Sequence, residues 1–183
     1  MDLTNHFLIA MPSMQDPNFD RTVVYVCEHS DKGAMGVVIN RPTELTLARL
    51  FDKIDLRLEI APWRDEPVLY GGPVQTERGF VLHAPAGNYG STLNVADDIG
   101  LTTSKDVLED LAGGKGPKQL LVTLGYAGWA AGQLEHELAH NGWLSVAADV
   151  HVIFDTPANA RFDAALKLLG VDPRHLSSQP GHA

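Results

Sequence analysis

The sequence contains a single cysteine, Cys27, among its 183 residues. One thiol cannot form a disulfide within the chain, and the lack of disulfides is typical of a reducing compartment. Long apolar runs are absent as well, because no stretch approaches the ~20 apolar residues of a membrane-spanning helix. The apolar run at residues 7–11 is too short for the core of a signal peptide. We therefore expect a cytoplasmic protein that does not cross a membrane.

Basic residues are also scarce. The chain has 14 lysines and arginines against 23 aspartates and glutamates, which gives a net charge of −9. Nucleic-acid affinity depends mainly on basic side chains that neutralise phosphates, and here they are scattered. The charge argues against direct contact with nucleic acid. We expect any regulatory role to operate through a protein partner or a small ligand.

The remaining composition is that of an ordinary globular protein, with 44% hydrophobic and 20% charged residues. The length suits one domain, which we predict over residues 1–176, followed by a flexible tail at 177–183. Residues 22–29 are rich in β-branched and aromatic side chains, and both of their faces are apolar. This pattern predicts a central strand covered on both faces, paired through a turn at 30–33 with a second strand at 35–40.

Further elements follow from periodicity and from turn residues. We predict strands at 6–11, 68–70, 80–83, 91–96, 120–124 and 150–154. We predict helices at 45–54 and 104–111, from the glycine-rich turn at 125–129 to about residue 140, and from Thr156 to Gly170. Helices interspersed with hairpins indicate a mixed α+β fold rather than a doubly wound parallel sheet.

A zinc-hydrolase motif occurs at His136, Glu137 and His140, because two histidines at i and i+4 on a helix share one face. The apolar stripe formed by Leu134 and Leu138 lies on the opposite side, which predicts that both histidines face solvent. A third ligand is missing at the usual spacing, although Asp149 or His151 remains a candidate. We keep a zinc hydrolase only as an alternative and expect no cofactor.

The glycine-rich segment 125–132 fits neither the dinucleotide-binding nor the phosphate-loop pattern. We interpret its small residues as allowing the following helix to pack closely on the sheet, with anion binding as the alternative.

Charged and imidazole groups cluster at the predicted strand ends. We predict that they converge with the glycine-rich turn into a ligand site comprising Arg21, Glu28, His29, Asn40, Arg41, His83, Tyr126 and Trp129. Ion pairs of the arginines with Asp16 and Asp20 explain part of this set equally well. A metal-free hydrolase built around His29 is a further alternative.

Several sequence blocks resemble the AlgH/YqgE family of bacterial proteins, and together they span nearly the whole chain. They are FLIAMP at 7–12, DPNFDR at 16–21, VYVCEH at 24–29, GAMG at 33–36, VINRP at 38–42, GGPV at 71–74, RGFVLH at 78–83, LGYA at 124–127, Trp129, GQLE at 132–135, Asn141, Trp143 with Leu144, and GHA at 181–183.

The resemblance implies a bifurcated, partly barrel-like β-sheet surrounded by helices in a bacterial cytoplasmic protein. It supplies no catalytic residues, and the family has no established enzymatic activity. Some members are named as regulators of alginate production or of transcription, without a DNA-binding motif. The family pattern G-Q-L-E-x-E-L contains neither His136 nor His140, so the resemblance argues against zinc. We expect a regulatory or binding module that acts through a small ligand or a protein partner.

Overall fold

The computed structural model describes residues 1–14, 16–172 and 174, which form a mixed α+β fold. Its ten strands, β1 to β10 in chain order, are His6–Ala10, Val23–Ser30, Gly33–Val38, Pro42–Thr46, Pro67–Tyr70, Val74–Ala84, Thr92–Ala96, Ile99–Thr102, Gln119–Ala130 and Trp143–Ala147. The five α-helices of this part of the chain, α1 to α5, are Leu47–Lys53, Asp106–Ala112, Gln133–Ala139, Val150–Phe154 and Arg161–Leu168.

Strand β9 divides the sheet into two halves. The main path runs β10-β1-β2-β3-β9-β6-β8-β7, and its neighbours are antiparallel. One edge of β9 pairs with β6. The other edge pairs first with β5, in parallel at Thr123 and Leu124, and then with β3 from Ala127 to Ala130. This change of partner confirms the bifurcated, half-barrel sheet that the family resemblance implied.

Glycines permit the close approach at this division. A Cβ atom on Gly72 would overlap the backbone carbonyl group of Tyr126, and one on Gly125 would overlap the Gly72 carbonyl oxygen. Both residues have positive φ angles, +152° and +79°, which residues with a side chain rarely adopt. Gly71 N–H donates to the Leu124 carbonyl oxygen at 2.8 Å, and the Gly71 carbonyl accepts from Val38 N–H at 2.8 Å. We call these three glycines the glycine junction.

Helices cover both faces of the central strand β2. Tyr25 belongs to a core cluster with Ile153 of α4 and Phe162 of α5, whereas Val24 belongs to a second cluster with Leu134 of α3. This arrangement confirms the prediction of a doubly covered strand. A third cluster lies in the other half of the molecule, where α1 and α2 pack against β6 and β9.

The predicted turn at 125–129 and the predicted strand at 150–154 are both wrong. β9 continues through Gly125 because it gains β3 as a new partner, and α3 begins only at Gln133. The small residues of this segment serve the close approach of strands rather than of a helix to a sheet. Residues 150–154 form α4, because the Asp149 side chain accepts from His151 N–H and caps a helix that buries Val152.

Other boundaries differ from the predictions at their ends. Segment 45–54 is helical from Leu47 to Lys53, since Thr46 caps α1 and accepts from Arg49 N–H. Strands β4, β8 and β10 were not predicted. The last helix starts at Arg161 after a 3-10 turn, and Thr156 donates to the His151 carbonyl instead of capping it.

The predicted tail at 177–183 lies outside the described residues, and the single domain over 1–176 stays a prediction. In the described part of the chain, no helix combines the length and the apolar character needed to cross a membrane.

The close contact at the glycine junction predicts that a side chain at position 72 destabilises the protein. We expect Gly72→Ala to lower the free energy of unfolding by about 3 kcal/mol or more, because the new methyl group meets backbone that cannot move aside. Urea denaturation measures this loss. The matched control is Gly79→Ala, where the added methyl group would have no heavy atom within 4 Å and the effect should be neutral or stabilising. Equal effects of the two substitutions would contradict the steric explanation.

Candidate functional site

The eight residues of the predicted ligand site do not converge on one site, although Glu28 and Trp129 line one small pocket. Arg21, Asn40 and Arg41 lie at one end of the β2–β3 hairpin, and Glu28 and His29 lie at the turn end. Seven residue steps separate residues 21 and 28, which corresponds to roughly 20 Å along an extended strand. The other three are His83 on β6, and Tyr126 and Trp129 on β9.

Arg41 and Asn40 organise the loop at residues 16–21. The Arg41 guanidinium donates to the carbonyl oxygens of Pro17 at 3.2 Å, Asn18 at 2.8 Å and Asp20 at 2.7 Å. Asn40 donates to the Arg21 carbonyl at 3.0 Å and accepts from β2. The acceptors are therefore backbone carbonyls, and within the described ranges no ion pair joins these arginines to a carboxylate.

His29 is buried and connects three segments. Its Nδ1 accepts from Leu3 N–H at 2.9 Å, which places the proton on Nε2, and Nε2 donates to Glu135 Oε1 of α3 at 3.3 Å. Both ring nitrogens are thus occupied, so neither is free to act as the base of a hydrolase. Cys27 packs in a core cluster on the face of β2 opposite to His29. A register shift between Val26 and Glu28 interrupts the alternation of side chains along the strand, so residues 27 and 29 do not share a face.

His83 is fully buried within a hydrogen-bond chain. Its Nδ1 donates to the Pro85 carbonyl at 2.9 Å, so its Nε2 accepts from Thr102 Oγ1 at 2.7 Å. Thr102 in turn contacts Thr92 Oγ1 at 2.8 Å. Tyr126 packs edge-on against Phe80 in the core. These contacts give His83 and Tyr126 structural roles.

The zinc motif is arranged differently from a metal site. His136 and His140 face solvent as predicted, and their rings lie 4.1 Å apart. Glu137 Oε1 accepts from the indole N–H groups of Trp129 at 3.0 Å and Trp143 at 2.9 Å, and its Oε2 accepts from Gln133. Among the described residues, no group of three or more histidine, cysteine or acidic side chains is placed to hold a metal.

Glu137 also lies in a groove between α3 and the side chains of Ser13, Met14, Asp16 and Phe19. This groove has a volume of about 400 Å³, and we call it the tryptophan groove. Its lining comprises Ser13, Met14, Asp16, Phe19, Gly128, Trp129, Gln133, His136, Glu137, His140 and Gly142.

Three aromatic rings support the groove. Phe19 stacks on Trp129 with ring centroids 6.2 Å apart and meets the edge of Trp143 at 5.5 Å. The two indoles contact each other at 6.0 Å. Because Arg41 fixes the loop that carries Phe19, it acts on the groove from a distance.

The groove lining contains two carboxylates and two exposed imidazoles, those of His136 and His140. Asp16 and Glu137 contribute carboxylates, and the lining contains no lysine or arginine. Of the predicted ligand residues only Trp129 lines it. Phe19 and Glu137 could not be paired from the sequence, because their meeting depends on the pairing of β9 with β3 and on the position of α3. The available signal was that Phe19 lies in the block DPNFDR and that Glu137 belongs to the family pattern G-Q-L-E-x-E-L.

The fold and this groove define a class of protein, an α+β half-barrel with an acidic groove built on aromatic residues. The chain belongs to the AlgH-like family, whose model matches residues 7–174. UPF0301 proteins of Ralstonia nicotianae and Burkholderia multivorans are 61% and 60% identical, with 100% of this chain and 96% of each relative covered.

Solved structures agree with this assignment. The solution structure of the AlgH protein from Pseudomonas aeruginosa has a TM-score of 0.82 and 49% identity, covering 100% of this chain and 97% of the other. The crystal structure of a Corynebacterium diphtheriae protein has a TM-score of 0.70 at 19% identity, covering 90% of this chain and 86% of that one. At 19% identity, the similarity to the Corynebacterium diphtheriae protein shows only that the two proteins share a fold.

Glu137 should be essential for the stability of this region. We expect Glu137→Ala to lower the free energy of unfolding by about 2–4 kcal/mol, because two buried indole N–H groups lose their acceptor. Glu137→Gln keeps an acceptor oxygen and should lose less. Urea unfolding followed by tryptophan fluorescence measures both, with Glu109→Ala on the exposed face of α2 as the control. A loss in Glu137→Ala no larger than in the control would refute this role.

His83 should make stability depend on pH. Burial lowers the pKa of its imidazole, although the hydrogen bond to Pro85 acts in the opposite direction. The unfolded chain therefore binds the proton more readily. The contribution of the neutral, buried imidazole to the free energy of unfolding is fully present above the unfolded pKa of about 6.5, and it is lost as the pH falls below that value.

We expect the free energy of unfolding to decline less steeply from pH 7 to pH 5 in His83→Gln than in the wild type. His151→Gln is the control with the opposite sign, because Asp155 raises the pKa of His151. That substitution should steepen the decline. Identical slopes for wild type and His83→Gln would show that His83 does not carry the effect.

Proposed function

We propose that this protein is a binding module that acts through a protein partner, and that the tryptophan groove receives a basic side chain of that partner. The observation that carries the proposal is the charge of the groove lining, which contains the carboxylates of Asp16 and Glu137 and no lysine or arginine. A guanidinium or ammonium group complements this lining, and the net charge of −9 adds long-range attraction.

Aromatic rings favour the same ligand chemistry. A cation that approaches the face of an aromatic ring within about 6 Å gains about 0.5–2 kcal/mol. Phe19 is only half-buried, and Trp129, which is 6% exposed, forms part of the lining. The carboxylates and the rings therefore act on a cation together.

The groove is also held in shape before any ligand arrives. Glu137 fixes both indoles, Arg41 fixes the loop of Phe19, and His29 fixes α3 through Glu135. Binding to a preformed site avoids the cost of ordering its side chains. The same charge that suits a basic partner disfavours direct contact with nucleic acid.

Indole NMR signals test the proposal directly, because the chain has three tryptophans. We expect a blocked tetra-arginine peptide to shift the indole N–H signals of Trp129 and Trp143 at about 0.15 M salt. Trp63 should stay unchanged, because it packs in the cluster of the other half. Asp16→Asn should weaken binding about threefold, as expected for one exposed charge, whereas Asp52→Asn on α1 should not.

Three results would count against the proposal. Absence of shifts at Trp129 and Trp143 would remove the groove as the site. Equal weakening by Asp16→Asn and Asp52→Asn would reduce the interaction to overall charge. Binding of free arginine as tightly as the peptide would identify a small-molecule site instead of a protein-partner site.

A further inference from the structure

A second cavity lies in the other half of the molecule, between α1, α2, β6 and β9. Its volume is about 230 Å³, which corresponds to roughly eight water-sized volumes of about 30 Å³ each. Thr102, Thr103 and Ser104 contribute to its lining. Most of its wall consists of apolar side chains, and we call it the apolar cleft. They are Leu50, Ile54, Val81, Leu108, Val122 and Leu124.

The mouth of the apolar cleft forms where β6 leaves the ladder. The register between β6 and β9 shifts between Val74 and Gly79, so residues 75–78 have no paired residue on β9, and they are exposed. Gln75 in this segment has a positive φ of 49°. Gly79 shares a face with Val81, because side chains two apart in a strand point the same way. A Cβ at Gly79 would meet no atom within 4 Å, so the cleft is open at this point.

Two cations border the cleft. Arg78 and Lys105 belong to its lining, together with a single carboxylate, Glu77. In the described part of the chain, neither cation forms an ion pair with a carboxylate. The Arg78 guanidinium has a long hydrogen bond of 3.4 Å to Gln75 and lies 5.8 Å from the centroid of the Phe80 ring. Phe80 belongs to the core cluster on the other face of β6, so the long Arg78 side chain has to turn towards the cleft mouth to meet a ligand there. A chain with a net charge of −9 thus places unpaired positive charge beside an apolar cavity.

We propose that the apolar cleft binds a small carboxylate with an apolar tail, of the size of a medium-chain fatty acid. The tail occupies the apolar walls, and the carboxylate accepts hydrogen bonds from Arg78 and Lys105 at the mouth. An apolar cavity with a few convergent polar groups is the usual form of a small-molecule site. This site is independent of the tryptophan groove and does not rest on the function proposed for it.

Octanoate is the probe. We expect it to bind the wild-type protein saturably at one site, in the millimolar range that so small a ligand allows, and to shift the backbone amide signals of Gly79 and Leu108. 1-Octanol has the same tail without the charge and should bind at least threefold more weakly. Arg78→Gln and Lys105→Gln should each weaken octanoate binding at least threefold.

Two further variants separate the tail from the charge. Gly79→Leu places a side chain in the open part of the cleft and should abolish octanoate binding. Lys118→Gln removes an exposed lysine elsewhere and should leave binding unchanged. Thermal denaturation confirms that each variant is folded. If Gly79→Leu does not fold, the comparison of Arg78→Gln with Lys118→Gln still decides.

The proposal fails if octanoate leaves Gly79 and Leu108 unperturbed, or if Arg78→Gln and Lys118→Gln bind it equally. It also fails if 1-octanol binds as tightly as octanoate, since the cations then contribute nothing.

Discussion

The close backbone contact at the glycine junction is the constraint on which the rest of the structure depends. Gly72 and Gly125 have no Cβ atom, so the end of β5 and the bend in β9 can touch. This contact allows one edge of β9 to pair first with β5 and then with β3. The bifurcated sheet follows from it. The cluster of Val24 and the cluster against α1 and α2 lie on different sides of the division, whereas the cluster of Tyr25 spans both halves.

The two halves that the junction creates carry cavities of different chemistry. Beyond the junction, the end of β9 brings Trp129 to α3 and Trp143, and Glu137 joins the two indoles. Before the junction, β9 and β6 form a wall of the apolar cleft beside Arg78. An acidic chain therefore has an acidic aromatic groove in one half and an apolar cavity bordered by cations in the other. The two proposed binding sites, the tryptophan groove and the apolar cleft, are therefore physically separate.

Local patterns sufficed for much of the fold but not for the site. Residues 22–29 were correctly predicted as a strand covered on both faces, because its apolar residues lie on both sides. The family resemblance supplied the bifurcated sheet.

The strand at 125–129 was missed because glycines signal turns, and its extended form depends on a partner far away in the sequence. The predicted ligand site failed to assemble for the same reason: strand ends that look alike in sequence lie at opposite ends of one hairpin. Glu137 matched a catalytic motif, yet its position against two indoles is set by tertiary packing.

The most direct test of this account is a double titration of isotope-labelled protein with tetra-arginine and octanoate in one sample. We expect two separate sets of shifted signals, Trp129 and Trp143 for the peptide and Gly79 and Leu108 for octanoate, with each affinity unchanged by the other probe. Overlapping shifts, or displacement of one probe by the other, would contradict the view that the glycine junction separates two independent binding sites.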